Sequence, residues 1–385
     1  MHKKIAITSI SSVSALGSAT ESVWRNYKNP KTLITQQKIG AQMVAAAALP
    51  FFLKNELLQL QNSDIKYKFL DLSVLFAIYA SRKAIEKTQW SSDTVFGINI
   101  GSSRGATQLF EQNHQEFLST GKTPTLTSPT TTLGNISSWV AHDLQSQGPT
   151  ISHSVTCSTA LHALLNGIAW LQAGMATHFL VGGSEAPLTA FTIAQMQALK
   201  IYSKAATYDY PCRSLDTHKK SNTLVLGEGA AIACIEIGEQ PNALCYVDGI
   251  GYANDLLQHS LSISDEAECF QKSMEMAMQN TNRNQIDAIV MHAPGTIKGD
   301  SSEIKAIEKI FGQKIPLLTT NKWKIGHTFG ASGMLSIEMA VLMLQNQLFI
   351  EVPFSNYKND GRPLKKILVN AVGFGGNAVS ILLSL

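Results

Sequence analysis

The chain has 385 residues, 44% of them hydrophobic, and its 31 basic and 28 acidic residues leave a formal net charge of +3. This length and apolar content are sufficient for a large core, divided among roughly two to three domains or two fused halves. A chain of such low charge lacks the basic stripe that nucleic-acid binding requires, so we expect no nucleic-acid partner.

The cysteine content and the apolar segments indicate the cellular compartment in which we expect the protein. Five cysteines stand at wide spacings without a CxxC pair, which argues against a disulfide framework or a zinc site and favours a reducing compartment. The first residues lack the apolar core of a signal peptide. No apolar stretch approaches the roughly 20 residues needed to cross a bilayer, so we expect a cytoplasmic protein with no membrane span.

The apolar pattern alternates between two kinds of segment. Short apolar runs bounded by glycine are typical of strands buried on both faces and occupy residues 5–10, 95–100, 179–181, 230–237, 286–291 and 367–372. Helical patterns occupy residues 70–87, 139–144, 158–173, 266–279 and 330–347. This alternation predicts a layered α/β fold. We interpret the polar stretches 123–132 and 208–222 as long functional loops, and a weak division of the chain falls near 238–241.

A thiol, Cys157, stands at the start of a predicted buried helix in the segment Ser154 to Ala160. The free N–H groups and the positive dipole end of a helix N-terminus favour a thiolate, and hence a nucleophile. A lone cysteine in an apolar segment is also commonly an inert core residue, and this segment alone leaves both interpretations open.

Three further segments carry polar or glycine-rich patterns with two interpretations each. His327 precedes an apolar helix. Its neutral imidazole can donate a hydrogen bond into a site, or the residue has only a structural role. Residues 291–303 run from the end of a strand through a loop into a helix. An ordinary strand-to-helix connection explains this segment, with Asp300 as the N-cap and Glu303 in a variant capping box. The glycine-rich turn 373–377 allows a backbone N–H to point into a site, or is a structural hairpin.

In their order along the chain these segments resemble the elongating β-ketoacyl-acyl carrier protein synthases of the thiolase superfamily. The motifs that carry the resemblance are the Cys157 segment and residues 5–17, 101–105, 182–185, 212–216, 227–230, 322–333 and 373–377. The resemblance implies a thiolase-like fold, in which two pseudo-related α/β halves form five α-β-α-β-α layers. The nucleophile would lie in an N-terminal half, 1–240, and His327 and the glycine turn in a C-terminal half, 241–385.

The resemblance also implies a mechanism. Cys157 would accept an acyl chain from a phosphopantetheine thioester, and decarboxylation of malonyl on a second carrier would generate an enolate that attacks the acyl-cysteine. The backbone N–H groups of Cys157 and Phe374 would form the oxyanion hole, and His327 would donate to the thioester oxygen as the enolate charge develops. Lys322 would support this histidine and hold Glu303 through the adjoining polar network, with Asp300 as a further supporting residue.

Substrate and partner expectations follow from the same resemblance. Thr296 would bind pantetheine, Phe374 would be a gate that moves between the two half-reactions, and Gly375 and Asn377 would contribute to substrate binding. The chemistry requires no metal or redox cofactor, because thioesters on acyl carrier proteins supply the reacting groups. Acyl carrier proteins are the expected partners. A homodimer is expected, and a heterodimer with a sister synthase stays open.

The chain departs from the family pattern at the first of two active-site histidines. Its position corresponds to Pro294, which has no side-chain donor or acceptor, and the loop to Asp300 is about two residues short. His292 shares a strand face with position 294 at a separation of roughly 6–7 Å, so it can replace the missing donor. Alternatively the chain condenses with one histidine, or transfers acyl groups with poor decarboxylation. A non-catalytic partner resembling chain-length factors is a third interpretation, although those lack the nucleophile that this chain keeps.

A second departure concerns the acyl group. Arg104 stands where the resemblance implies a small apolar residue that lines the acyl pocket at the dimer seam. Because an unpaired guanidinium is costly to bury, it either turns to solvent or pairs at the interface, or it points inward and favours a short, polar or aromatic-conjugated chain. The unusual continuation 217–222 is a further sign of specialisation. Together these features favour a synthase of a specialised pathway, such as polyene or aryl-polyene pigment formation.

Overall fold

A computed structural model describes residues 4–133, 135–204, 209–256 and 264–385. The strands are β1 (Ile5–Ser14), β2 (Thr35–Ile39), β3 (Gln42–Ala47), β4 (Gly97–Gly101), β5 (Thr150–Ile151), β6 (His178–Glu185), β7 (Leu226–Gly227), β8 (Gly229–Ile237), β9 (Cys245–Asn254), β10 (Ala288–Val290), β11 (Leu317–Thr319), β12 (Lys366–Gly373) and β13 (Asn377–Ser384). The helices are α1 (Thr20–Lys28), α2 (Phe51–Ser63), α3 (Leu72–Ile85), α4 (Thr107–Thr120), α5 (Thr127–Thr131), α6 (Asn135–Asp143), α7 (Thr159–Gln172), α8 (Ala190–Ala198), α9 (Glu268–Ala277), α10 (Ile297–Phe311), α11 (Lys322–Ile325) and α12 (Ser332–Asn346).

The main sheet consists of two halves with the same topology. The strand order is β5-β4-β6-β8-β1 in the first half and β11-β10-β12-β13-β9 in the second. In each half the first three strands are parallel, and the last two join through antiparallel pairings. The halves meet where residues 5–7 of β1 pair with residues 245–247 of β9. This internal repeat gives the two pseudo-related halves of a thiolase-like fold.

Helices α7 and α12 lie between the two halves of the sheet and contact both of them. Every residue of α12 from Ser332 to Leu344 is buried, as expected for a helix that is apolar on all sides. Helix α3 covers the outer face of the first half, and α9 with α10 covers the second. The result is the α-β-α-β-α layering, with the N-terminal ends of α7 and α12 close together in the central layer.

The predicted strands and helices all overlap observed elements, although 286–291 shortens to the three residues of β10. The loop prediction for 123–132 is wrong in part, because α5 forms there. Its threonines are poor helix formers, so the local sequence did not indicate a helix. The Thr130 and Thr131 hydroxyls donate to the carbonyls of Leu126 and Thr127 one turn earlier, at 2.6 and 2.7 Å. The described part of the second loop, 209–222, contains neither helix nor strand, and residue 208 lies outside the described residues.

The hairpin of β2 and β3 has no counterpart in the sequence-based prediction. Its first strand, Thr35–Ile39, is mostly polar and partly exposed, so it lacks the apolar run that marks the buried strands. Among the described helices, none has the length and apolar character that a bilayer crossing demands.

Candidate active site

Cys157 lies in a 3-10 turn, Thr156–Ser158, that leads directly into α7. The turn is held in a rarely adopted backbone conformation, because Thr156 has a φ of +47°. The Thr159 hydroxyl donates to the Thr156 carbonyl at 2.6 Å and accepts from the Val155 N–H at 2.9 Å. These bonds fix the thiol at the N-terminal end of a buried helix. Residues 152–155, which lead into this turn, are not part of a strand, because β5 ends at Ile151.

Burial determines the protonation state of the Cys157 thiol. The side chain is 5% exposed, and burial raises its pKa from 9.0 to about 12, with a further increase from the Glu185 charge and an opposing effect of Lys322 and Arg104. Burial opposes the effect of the helix N-terminus, which favours the thiolate by only about 0.3–2 kcal/mol. The expectation that the helix makes Cys157 a thiolate is therefore wrong for the free protein. The thiol needs a base when it attacks.

This protonation state predicts how Cys157 reacts with iodoacetamide. Below its pKa the thiolate fraction rises about tenfold per pH unit, so the alkylation rate should rise at nearly that slope between pH 6 and about 8. Lys322, whose pKa burial lowers to about 8, loses its charge above that pH. Because that charge lowers the thiol pKa, the slope should then decrease. Intact mass against pH measures the rate, with Cys157→Ala as the blank; a plateau below pH 8 would contradict the assignment.

Two histidines converge beside the thiol. The rings of His292 and His327 lie 5.3 Å apart, centroid to centroid, with their planes at 88°. Each residue is buried, and within the described part of the chain Nδ1 of each ring has no hydrogen-bond partner. Strand geometry does not explain the position of His292, because β10 ends at Val290 and Ala293 has a φ of +27°. The backbone turns sharply there, and His292 and Pro294 both line the site.

Both imidazoles are neutral at physiological pH. Burial lowers the pKa of His327 to about 3, with the charge of Lys322 acting in the same direction. Burial, followed by the neighbouring His327 and Lys322, holds the pKa of His292 well below its usual 6.5. A neutral imidazole has one donor and one acceptor nitrogen. Each ring can therefore accept a proton from the thiol or donate a hydrogen bond to a developing oxyanion.

Glu303 on α10 fixes the backbone of His292. Its carboxylate accepts hydrogen bonds from the N–H groups of His292 and Ala293, at 3.0 and 2.9 Å, and from the Asn370 side chain at 3.2 Å. Burial raises the pKa of Glu303 to about 7, and these donors oppose the rise. Asn370 is absent from the sequence-based site. The available signal was a lone amide within the apolar strand β12.

Lys322 is buried at the start of α11 and donates to the side-chain oxygen of Asn321 at 3.0 Å. No ion pair within 4.0 Å joins it to Glu303 among the described residues, so it does not hold that carboxylate directly. Burial lowers its pKa to about 8, and the charge of Glu303 opposes this most strongly. Lys322 therefore acts on the site through its charge, which lowers the pKa of both histidines and of Cys157.

The connection before α10 differs from the capping arrangement considered above. Thr296 is the N-cap, and its hydroxyl accepts from the Gly299 N–H at 3.1 Å. Asp300 lies inside the helix and instead accepts from Gly295 N, Leu215 N and Lys219 Nζ, at 2.9, 2.9 and 2.7 Å. The interpretation of Asp300 as N-cap is therefore wrong. Its buried ion pair with Lys219 ties the loop 209–222 to the segment that carries Thr296.

The glycine-rich turn joins β12 to β13, where Gly373 pairs with Asn377. It packs directly on the nucleophile turn: a Cβ on Gly373 would lie 2.0 Å from Thr156 Oγ1 and 2.6 Å from the Val155 carbonyl oxygen. Phe374 follows immediately and lines the site. Asn377 donates from its side chain to the Phe374 carbonyl at 3.4 Å. Neither it nor Gly375, which has a φ of +97°, lines the cavity that contains Cys157.

This close approach makes Gly373→Ala a sensitive variant. The added carbon cannot be accommodated against the backbone, so the two turns should separate and acylation of Cys157 should fall by about tenfold or more, as misplaced groups lose reactivity. Intact-mass acylation rates measure the effect. Gly121→Ala is the control for a strained glycine substitution away from the site, because Gly121 has a φ of +70° but a Cβ there meets nothing within 4 Å. It should retain acylation. Equal rates in both variants would contradict close contact between the turns.

The reacting groups share one cavity of about 270 Å³. Its lining is largely apolar and comprises Cys157, Met196, Ile201, Asn222, Leu224, His292, Pro294, Thr296, Lys298, Gly299, His327, Phe329, Val372, Gly373 and Phe374. A search of the described residues finds no group of three or more His, Cys, Asp or Glu side chains that could hold a metal ion.

Arg104 lies outside this lining. Its guanidinium carbon is 5.8 Å from the ring centroid of Phe329, and one terminal nitrogen donates to the Gln195 side chain. It forms no salt bridge with any described residue, so pairing with a carboxylate of its own chain is excluded within those ranges. The residue is half-buried rather than turned fully to solvent.

The repeated sheet halves and a cysteine flanked by two neutral histidines define a condensing enzyme of thiolase-like fold. Residues 2–240 match the family model "Beta-ketoacyl synthase, N-terminal domain", and residues 244–355 match "Beta-ketoacyl synthase, C-terminal domain". The chain belongs to the β-ketoacyl synthase family.

A sequence relative and two solved structures match nearly the whole length of this chain. The 3-oxoacyl-[acyl-carrier-protein] synthase 2 of Staphylococcus aureus strain COL is 25% identical over 409 residues, which cover 99% of this chain and 98% of that protein. Among solved structures, the ishigamide ketosynthase/chain length factor has a TM-score of 0.86 at 17% identity, covering 100% of this chain and 99% of its own. A β-ketoacyl synthase from Burkholderia phymatum STM815 has a TM-score of 0.85 at 21% identity, with 99% of each chain covered.

Proposed function

We propose that the protein takes an acyl chain onto Cys157 and extends it with malonyl from an acyl carrier protein by decarboxylative Claisen condensation. The observation that carries this proposal is the single cavity lined by Cys157, His292 and His327, with Phe374 at its wall. A thiol supplies the acyl acceptor, and two neutral imidazoles supply donors for the enolate oxygen. Family membership supports the same chemistry.

His292 is proposed as the first histidine of the family's pair. The assignment of that position to Pro294 left the loop to Asp300 about two residues short. Counting from His292 instead adds two residues and removes the deficit. The hydrogen bonds from His292 and Ala293 to Glu303 support this alignment, because they anchor the segment on α10. Pro294 then marks a change in the loop rather than a missing catalytic group.

In the first half-reaction the Cys157 sulfur attacks the acyl thioester. Because burial raises its pKa, the thiol proton passes to a neutral imidazole as the carbon–sulfur bond forms. The N–H groups of Cys157 and Phe374 would receive the oxyanion, consistent with the packing of Gly373 against the nucleophile turn. The proton then goes to the departing pantetheine thiolate, so this step has no net proton change.

In the second half-reaction malonyl thioester loses carbon dioxide, and the resulting enolate attacks the acyl-cysteine. His292 and His327 would donate to the enolate oxygen from positions that exclude water, where such donors lower the barrier by several kcal/mol. Collapse of the tetrahedral intermediate releases the Cys157 sulfur, which takes up one proton. The products are carbon dioxide and a 3-oxoacyl chain longer by two carbons.

The carrier would enter on the side of Thr296, which lines the cavity at the N-terminus of α10. Its hydroxyl would bind pantetheine, and Phe374, which is 36% exposed, would move between the two half-reactions. Homodimerisation, with a heterodimer as the alternative, remains part of the proposal, as do a cytoplasmic location and a role in a specialised fatty-acid, polyketide or polyene pathway.

Incubation with an acyl carrier protein charged with a short acyl chain, followed by malonyl carrier protein, tests the proposal by intact mass. The expected results are a Cys157 adduct and then a two-carbon-extended chain on the second carrier. An adduct that malonyl carrier protein never consumes would overturn condensation and leave an acyltransferase. No adduct at all would overturn the whole proposal and favour a non-condensing partner subunit.

A further inference from the structure

Lys324 is a buried lysine that the proposed mechanism does not use. It lies on α11, two residues after Lys322 and three before His327, and is completely buried. No salt bridge joins it to a carboxylate in the described ranges of the chain. Burial lowers its pKa to about 8, so the ammonium is still mostly charged at neutral pH. Because an unpaired charge is costly to bury, the fold must compensate for this one in another way.

Three backbone carbonyls compensate for this charge. The Lys324 Nζ donates to the carbonyl oxygens of Asn26 and Lys31, at 2.8 and 2.9 Å, and also to that of Asn29. These bonds use all three donors of an ammonium group. Asn26 belongs to the last turn of α1, and Asn29 is the residue that caps this helix. The ammonium therefore lies at the C-terminal end of α1, where the helix dipole favours a positive charge.

Further contacts hold α11 against the segment that follows α1. The Thr32 hydroxyl donates to the Trp323 carbonyl at 2.8 Å, and the Leu33 N–H donates to the Lys324 carbonyl at 3.0 Å. The Lys324 ammonium also lies 4.5 Å from the centroid of the Trp323 ring. Since α11 is a single turn of four residues, its own hydrogen bonds are too few to keep it formed and in place. Its position depends on these contacts.

The position of α11 determines where two functional groups of the site stand. Lys322 is its first residue, and His327 follows its end, where the His327 N–H donates to the Val225 carbonyl at 2.7 Å. The Lys322 charge lowers the pKa of both histidines and of Cys157, and such an interaction changes with distance. A shift of α11 therefore alters this electrostatic effect and displaces the His327 ring at the same time.

We propose that Lys324 is a positioning residue for chain extension, because its ammonium ties α11 to residues 26–31. Through α11 it fixes Lys322 and His327 relative to the nucleophile. This inference rests on the proposed function, in which His327 donates to the enolate oxygen. Lys324 itself is not among the described residues that line the cavity. Its loss should affect extension more than acylation, because one neutral imidazole suffices to accept the thiol proton, whereas both donate to the enolate.

Lys324→Met removes the three donors and keeps a side chain of similar length. Single-turnover extension by the pre-acylated variant should fall by about tenfold or more, since misplaced groups lose reactivity, and the ratio of the extension rate to the acylation rate should fall as well. A loss of folded protein alone lowers both rates equally and leaves this ratio unchanged. Lys87→Met is the matched control, because Lys87 also donates to a backbone carbonyl, that of Ile10 on β1, at 3.2 Å. It should keep the wild-type ratio.

The pH profile of Cys157 alkylation by iodoacetamide gives a second readout that needs neither half-reaction. Burial lowers the pKa of Lys322 to about 8, so a loosened α11 should raise this pKa and move the decrease in slope to a higher pH. Thr32→Val removes the hydroxyl bond to α11 but keeps both lysines, and should shift the profile in the same direction by less. The titratable groups whose charges act on Lys322 are Glu303, Cys212, Cys157 and Asp300.

The inference requires both changes in folded Lys324→Met. A ratio of extension to acylation, or an alkylation profile, that stays at the wild-type value would overturn it. Where Lys324→Met does not fold, Thr32→Val decides by the same two measurements. Wild-type protein that never extends an acyl chain would overturn the proposed function instead, and the alkylation profiles would then decide alone whether Lys324 fixes Lys322 beside the thiol.

Discussion

Cys157→Ala is expected to abolish both acylation and chain extension. Without a sulfur at the start of α7, no acyl-cysteine intermediate can form, and no second thiol is among the described residues that line the cavity. The adduct should be absent by intact mass, and formation of the extended product should fall by at least about 10⁴-fold. Malonyl decarboxylation does not need the thiol, so slow release of carbon dioxide should persist in this variant if both histidines remain in place.

Cys245→Ala is the matched control for the loss of a buried thiol. Cys245 lies on β9, outside the cavity, and is as deeply buried as Cys157. This variant should become acylated at the wild-type rate. An acyl adduct on Cys157→Ala that peptide mapping locates at another residue of the cavity would contradict the assignment of the nucleophile.

Removal of either active-site histidine is expected to cause the second large loss of chain extension. His292→Ala and His327→Ala should each lower the rate of extension by about 10²–10⁴-fold, because each removes a positioned donor and proton acceptor. Acylation of Cys157 should fall less than extension in at least one variant, since the other neutral ring can still accept the thiol proton. Single-turnover measurements on the pre-acylated protein separate the two half-reactions.

His114→Ala controls for the loss of an imidazole, because His114 is exposed on α4, where it stacks on Phe110, and does not line the cavity. It should extend acyl chains at the wild-type rate. Wild-type extension by His292→Ala would contradict the proposed pair and restore condensation with His327 alone.

The sequence predicted the layered fold well because buried strands and helices have distinct apolar patterns. The apolar pattern did not indicate the repeated strand order of the two halves, because this order arises from pairings between distant residues such as 5–7 and 245–247. The two halves were expected from the family resemblance alone. Short or polar elements were missed. The α5 helix is short and rich in threonine, which is a poor helix former, and the strand β2 is mostly polar and pairs with β3.

At the site, the sequence identified the residue types more reliably than their positions, protonation states and hydrogen-bond partners. His292 was singled out by a pleat argument, yet it reaches the cavity because the chain turns after Val290. The charge state of Cys157 depends on how deeply the folded chain buries it, which no local pattern records. Asp300 was taken for a cap because its partner Lys219 comes from a distant loop. The surroundings of Arg104 likewise come from distant parts of the chain, because Gln195 and Phe329 are brought beside it only by the fold.

The most direct test of the central claim is the stoichiometry of carbon dioxide and product in a single turnover. Pre-acylated wild-type protein is mixed with malonyl carrier protein labelled with ¹³C at the free carboxyl, and labelled carbon dioxide is measured together with the extended acyl chain. The proposed mechanism predicts one labelled carbon dioxide for each acyl chain that leaves Cys157, and an extended chain without label. Loss of the acyl group without release of carbon dioxide, or release of carbon dioxide with the acyl group still on Cys157, would contradict it.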